Sequence, residues 1–497
     1  MLALAAALPI ALVLALMLAL QWSAAGAGAA ALGLAALLAA WPFGFAADGG
    51  AAWAGVAAEG AFTAATILWI LLPALALHHL QQTTGALDTV RRAVARLTPE
   101  AVPQALLVGW FMALFFEGAA GFGTPLAIVA PLLVGLGFAP VQAVALALLG
   151  HAAGVSFGAL GTPALTQAAL TGLDARDLAW RTALLHAGTG GLLMVFFLRA
   201  LHSGQPAAHG SAGWGAVAAA AYLLASLGIA SWLGPELATL GAAMVGAPLF
   251  AWVLRLRSGA PAPAPAAVPG LGRALAPYLV LVALVLATRW PALRELLASV
   301  RIEWRWQDRY AGSMQPLLHP GTLLFAALLG GAALQRAGLA LLTGALLSAA
   351  RRLVPVALAL AAMLCLSRLM LHAGMVRALE GAAVATLGAH WPWVAPAVGA
   401  LGSFVTGSAT ASNVLFTSLQ ASTAAALSQP VAVVVAGQNF GAALGNVICP
   451  FNVVAGAATV GLTGRESEVL RRTALPCAVL LVLAGALLAA WVRLAAR

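Results

Sequence analysis

"FFEGAAGFGTPLAI", residues 115–128, sets one carboxylate, three glycines and a proline inside a stretch otherwise as apolar as lipid. Glu117 is the only charge between Glu100 and Asp174. Glycine and proline interrupt the helical hydrogen-bond ladder, and in hydrocarbon each freed amide or carbonyl costs several kcal/mol. A chain keeps such a break where it is buried in protein or lines a watery cavity. An ionisable side chain at the same place points to function.

The surrounding sequence makes the apolar setting a membrane. Of 497 residues, 63% are hydrophobic and 8% charged, against roughly one-quarter charged in soluble domains. A spanning helix needs about 20 mostly apolar residues. Runs at 2–20, 62–77, 104–116, 182–198, 213–230, 236–254, 276–288, 353–371 and 474–492 qualify or nearly do. Counting broken segments, the reading is an all-α integral membrane bundle of about 12–14 transmembrane helices. The net charge of +10 comes from arginines, with no lysine at all. They fall in short connections such as Arg91-Arg92-Arg96, Arg351-Arg352 and Arg465-Arg471-Arg472, a positive-inside pattern and not a nucleic-acid surface. Three apolar runs precede the segment around 80–100, read as amphipathic and cytoplasmic, which puts the N-terminus outside. The opening "MLALAAALPIALVLALMLAL" lacks a basic flank and reads as an uncleaved first helix. Cys365, Cys449 and Cys477 have no metal-ligand spacing and read as small core residues. Tryptophan, tyrosine and charge in "RIEWRWQDRYAGSMQ" (301–315) suit an interfacial loop or a plain connector.

A Pro/Ala-rich stretch at 255–274 reads as a linker between an N-terminal membrane half, 1–254, and a C-terminal half, 275–497. The halves carry a related pattern. "EGAAGFGTP" (117–125) is followed by "VSFGALGTPAL" (155–165), and "FVTGSATASN" (404–413) by "QNFGAALGNVICP" (438–450). Phe157-Gly158-Ala159-Leu160-Gly161 matches Phe440-Gly441-Ala442-Ala443-Leu444-Gly445 with one insertion. Gly121 and Gly158 are 37 residues apart, Gly407 and Gly441 34. A duplicated unit accounts for this, and paired breaks in corresponding places of two halves point to a transporter site between them with helix N-termini aimed at an anion. Close packing of helices through small residues is the alternative for any one cluster.

These motifs, with "LLVGLGF" (132–138), "GPEL" (234–237), "TGSATASNVLFTSLQ" (406–420) and "GLTGRESEVLRRT" (461–473), closely resemble the L-lactate permease family through nearly the whole chain. The resemblance implies a secondary carrier of the bacterial inner membrane that takes up lactate, glycolate or a similar 2-hydroxy monocarboxylate, usually with protons. It also implies two inverted repeats with broken and re-entrant helices. In the family, aspartate is common at Ala409, lysine at Asn446 and asparagine at His151, and a Ser-Pro-Gln-like run replaces Cys449-Pro450-Phe451. The two lost charges look like a removed ion pair, since deleting one alone would strand the other.

The breaks supply the candidate substrate-binding residues: Gly121, Gly123, Thr124, Gly158, Gly161, Thr162, Gly407, Ser408, Thr410, Ser412, Asn413, Gly441 and Asn446. Glu117 and His151 are candidates for proton coupling, against structural readings as a loop acceptor and a hydrogen-bonded core histidine. Asn413, Gln438, Asn439 and Asn446 could bond a hydroxy acid or satisfy broken backbone. Arg368, with His372 one turn on, is a candidate carboxylate contact or a snorkelling side chain. Glu236 reads as a helix-start residue. Expected partners are a small monocarboxylate, protons and the bilayer, with no cofactor, metal or nucleic acid, and the oligomeric state stays open. A carrier of another organic anion with altered coupling is the nearest rival. A membrane-embedded enzyme or subunit is the rival of another class, and the chain offers it no HExxH, CxxC or P-loop.

Overall fold

The computed structural model describes the chain except residues 1, 19, 21, 96, 97, 99, 122, 123, 203–209, 258–269, 289, 463, 464, 496 and 497. Apart from short tight turns, the order is α1 (Leu2–Leu18), α2 (Ala24–Ala40), α3 (Gly49–Thr83), α4 (Ala86–Ala95), α5 (Ala101–Ala119), α6 (Thr124–Gly135), α7 (Pro140–Ala152), α8 (Gly158–Thr171), α9 (Ala175–Leu201), α10 (Ser211–Trp232), α11 (Pro235–Arg257), α12 (Leu271–Ala287) and α13 (Pro291–Ala298). A hairpin of β1 (Ile302–Trp306) and β2 (Tyr310–Met314) follows. The chain continues through α14 (Pro320–Gln335), α15 (Leu339–His372), α16 (Met375–Thr386), α17 (Trp391–Thr406), α18 (Ala409–Ala426), α19 (Val431–Ile448), α20 (Pro450–Thr459) and α21 (Glu466–Ala495). Among the described residues eight helices are long and apolar enough to span a membrane, or up to ten if each of two bent pairs is one span. Four shorter apolar helices, α1, α2, α6 and α14, accompany them.

Two large apolar clusters hold the bundle, and each draws on both halves of the sequence. One runs from Ile70 through Phe116, Phe197 and Phe440 to Leu488. The other joins Ala6, Val13 and Leu71 to Leu364 and Phe416. Small residues let the backbones close up: a Cβ at Gly60 would come within 3.0 Å of Cys365 Cα, where α3 crosses α15. α5 carries a π-helical stretch, Leu107–Met112, and there the carbonyl of Gly109 occupies the space where Gly150 would bear a side chain. Such wide turns gather at functional positions, and this one leads into the turn holding Glu117. α4 is amphipathic as read, with Ala86, Leu87 and Val90 buried. Arg96 of that segment and residues 258–269 of the linker lie outside the described residues.

The segment 301–315, read as an interfacial loop or connector, is a structured hairpin. Trp306 pairs with Tyr310 and Ile302 with Met314. Gln307 and Asp308 turn the chain with φ of 51° and 52°, the backbone of mirror-image hairpin turns. The usual Asn-Gly signature of such a turn is absent, so the sequence concealed it. Contacts to the bundle hold the hairpin down. Glu59 Oε1 accepts from the Ala311 N–H (3.0 Å), Arg309 donates to His372 O (2.8 Å), and the Tyr310 ring lies 4.7 Å from that of His372.

Candidate functional site

Three breaks converge. α5 ends at Ala119, and the chain turns through Gly121 at φ 58° before α6 begins at Thr124. Gly121 N–H closes on Glu117 O (2.9 Å), so the Glu117 side chain projects from the last turn of α5. The second break bends the pair Pro140–Ala152 and Val155–Thr171 by 57°. Ala159, Leu160 and Gly161 are all left-handed, with φ of 43°, 59° and 82°, and non-glycine residues in such strain cost about 1–3 kcal/mol each. Thr162 Oγ1 bonds Ala159 O (2.6 Å) across the bend. The backbone of Pro235 and Glu236 fills the space beside Gly161, so the "GPEL" turn braces it. At the third break Gly407 (φ 72°) ends α17 and Ser408 caps α18 through Ala411 N–H (3.3 Å).

Between them lies a cavity of about 40 Å³, roomy enough for water. Glu117 and Gly121 line it from the first break, and Val155, Gly158, Ala159 and Pro163 from the second. Gly407, Ser408, Ala409 and Thr410 line it from the third, and Asn446 closes it from α19. Glu117 is 6% exposed. Its Oε1 occupies the space where a Cβ on Gly158 would lie. The first turn of α18 borders the same space, so its amide end favours an anion there.

Behind the cavity stands a layer of buried polar side chains. Asn446 is held on two sides: its Nδ2 donates to Gly407 O (3.2 Å), and its Oδ1 accepts from Asn452 (2.8 Å). These bonds leave Oδ1 facing His151 Nε2 (3.4 Å), whose Nδ1 lies 2.8 Å from Ala147 O. Both ring nitrogens of His151 therefore face oxygen acceptors. Nδ1 donates to Ala147 O, and a second proton on Nε2 would engage Asn446. Ser156 donates to Asn439 O (3.2 Å) and accepts from His186 Nε2 (2.8 Å). Asn413 donates to Pro163 O (3.1 Å) and Asn439 Oδ1 (2.9 Å), tying α18 to the second break.

The L-lactate permease profile matches residues 2–311 and 311–495. The chain belongs to the L-lactate permease family. It is similar to the L-lactate permease of Salmonella typhimurium (29% identity over 468 residues, 82% of this chain and 81% of that one). It is also similar to the glycolate permease GlcA of Escherichia coli (29% over 457 residues, with the same coverage) and the L-lactate permease of Bacillus subtilis (26% over 459 residues). The Alcanivorax borkumensis YdaH transporter shares the fold, with a TM-score of 0.52, 17% identity, and 88% of this chain and 87% of that one covered. This L-lactate permease family member is thus a multi-pass protein of a bacterial inner membrane and a carrier, not an enzyme.

Of the predicted residues in this family member, Glu117, Gly121, Gly158, Gly407, Ser408, Thr410 and Asn446 meet at the cavity, and His151 stands one residue behind it. Gly161 and Thr162 shape the bend without lining the cavity. Ser412 bonds Gly399 O (2.7 Å) and Gln438, and Asn413 bonds protein groups. Gly123 and the side chain of Thr124 lie outside the described residues. Gly441 is elsewhere: α19 runs unbroken through it, and the carbonyl of Pro396 fills the space beside it. The expected break in 440–450 falls at the far end of that range, at Cys449, whose extended backbone (φ −61°, ψ 125°) precedes Pro450 at the start of α20. Arg368 is also apart, its Nε 4.0 Å from Glu59 Oε2. Val155, Ala159 and Pro163 were not anticipated, because apolar residues lining a polar cavity have no chemical signature. Glu59 also escaped attention, although a carboxylate near a long apolar run was a signal available in the sequence.

Proposed function

We propose that the chain is a secondary carrier that takes up a small 2-hydroxy monocarboxylate such as L-lactate or glycolate together with a proton, and that the Glu117 cavity is where the two meet. Its membership of a family whose relatives are named lactate and glycolate permeases supports the substrate class. The observation that carries the site is the convergence of three helix breaks and Asn446 on one intramembrane carboxyl. The repeated breaks also support the reading of two inverted repeats flanking the cavity.

Two negative charges about 4 Å apart repel by about 4 kcal/mol at an effective dielectric of about 20. A proton on Glu117 removes that repulsion, so proton loading and anion loading favour each other. The amide end of α18, with Ser408 and Thr410, offers the carboxylate its donors, and Asn446 with His151 behind it offers the hydroxyl a partner and the proton a further stop. At about 40 Å³ the cavity is tight for a hydroxy acid, so loading widens it. Glu117→Gln imitates the protonated carboxyl. In proteoliposomes without nucleotide the variant is expected to keep lactate or glycolate exchange while losing accumulation driven by an imposed pH gradient. Undiminished, equally pH-dependent accumulation by the variant would remove Glu117 from the coupling route.

A further inference from the structure

We propose that the larger cavity beneath the hairpin is a second, electropositive site for a small monocarboxylate, an entry station that fills before the Glu117 cavity. The proposal rests on the carrier reading above. Its volume is about 820 Å³ against about 40 Å³ for the inner one, so an anion with its hydration shell fits. The hairpin forms one wall with Arg301, Glu303 and Arg305, and Arg368 and His319 stand on others.

The charge balance favours an anion. Arg301 and Glu303 neutralise each other at 3.0 Å. Arg305 has no ion pair among the described residues and faces solvent. Arg368 is held loosely. Its Nη2 reaches Ala169 O at 3.4 Å, its Nε is 4.0 Å from Glu59, and that buried Nε has no hydrogen-bond partner among the described residues. Glu59 is already engaged by His372 (2.7 Å) and the Ala311 amide (3.0 Å). A carboxylate offered to the Arg368 fork would satisfy donors that the protein leaves short. The neighbouring cavity of about 300 Å³ holds opposing charges in Asp174 and Glu236 beside the cations Arg176 and Arg294, and the Asp174 carboxylate caps α9 through Asp177 N–H (2.8 Å).

The position suits an entrance. Glu59, which anchors the hairpin, lies in the first third of α3, and the basic segment beginning at Arg91 follows the other end. With the basic segment inside, the hairpin cavity opens outside. α8 joins the two cavities: Pro163 lines the inner one and Ala168 the outer, five residues or about 8 Å apart along a helix. An anion captured at Arg305 and Arg368 therefore has a short way to Glu117. Such a site raises the local anion concentration, and salt weakens it.

The test measures initial uptake of labelled L-lactate and glycolate into proteoliposomes across substrate concentration, at about 20 and about 300 mM salt. Arg305→Gln with Arg368→Gln is expected to raise KM about fivefold to tenfold, keep kcat within about twofold and flatten the salt dependence of KM. Arg305→Glu alters only an exposed hairpin residue, so it leaves folding intact and is expected to raise KM by itself. An unchanged KM with unchanged salt dependence in Arg305→Glu overturns the entry station while leaving the carrier reading in place. No uptake of either acid by the unsubstituted protein removes the carrier reading, and the entry station with it.

Discussion

Gly158 and Gly161 stand three residues apart in one motif, yet they do different work. Beside Gly158 the space belongs to the carboxyl of Glu117, and beside Gly161 to the backbone of Pro235 and Glu236. A methyl group at 158 displaces the end of a flexible side chain, whereas one at 161 meets rigid backbone in a left-handed residue. Gly158→Ala is therefore expected to fold with a melting temperature near that of the parent and to lose uptake about tenfold or more, because it moves the coupling carboxyl. Gly161→Ala is expected to lose about 1–3 kcal/mol of stability, read as a lowered melting temperature in detergent. If both variants lose stability and uptake in the same proportion, the distinction fails. At this scale the sequence was legible where a residue type has no cheap reason to be present, as with a carboxylate or a glycine cluster in an apolar run. It was opaque at Ala159 and Leu160, whose left-handed backbone nothing in their side chains announces.

At the scale of elements the same letters give different structures. "FGALG" at 157–161 is a left-handed bend, and "FGAALG" at 440–445 lies within an unbroken helix. The added residue matters less than the neighbour. The carbonyls of Pro396 and Ala400 on α17 sit where Gly441 and Gly445 would carry side chains, so those glycines serve close packing. Sequence pattern found that glycine was needed at both places, and only tertiary packing decides between a break and a tight crossing. The hairpin was hidden for a related reason, since much of what secures it comes from residues far away in sequence. Glu59 bonds both the Ala311 amide and His372, and bonds to a charged group contribute about 1.5–3 kcal/mol each. Glu59→Ala is expected to release the hairpin and speed tryptic cleavage at Arg305 and Arg309 at least severalfold, measured by limited proteolysis. Cleavage at the parent rate would show that the Arg309–His372 bond and the ring contact of Tyr310 suffice to hold it.

Across the whole molecule, both halves of the sequence line the Glu117 cavity, and the residues that the C-terminal half contributes to it carry no charge. Ala409 enters the cavity from the first turn of α18 and Asn446 from the last turns of α19. These are the positions where the family resemblance implies a common aspartate and lysine. Because both line one cavity of about 40 Å³, side chains of that size would lie within pairing distance across it. Ala409→Asp alone puts a second carboxylate beside Glu117 with no cation to match it, and an unpaired buried charge costs about 3–5 kcal/mol. Its melting temperature and lactate uptake are expected to fall sharply. Adding Asn446→Lys supplies the partner, so the double variant is expected to recover most of the stability and a measurable part of the uptake. The non-additivity between the two substitutions is the quantity to determine. A double variant no better than Ala409→Asp alone would mean that the positions do not communicate through the cavity, and that the neutral pair in this chain is not a removed ion pair.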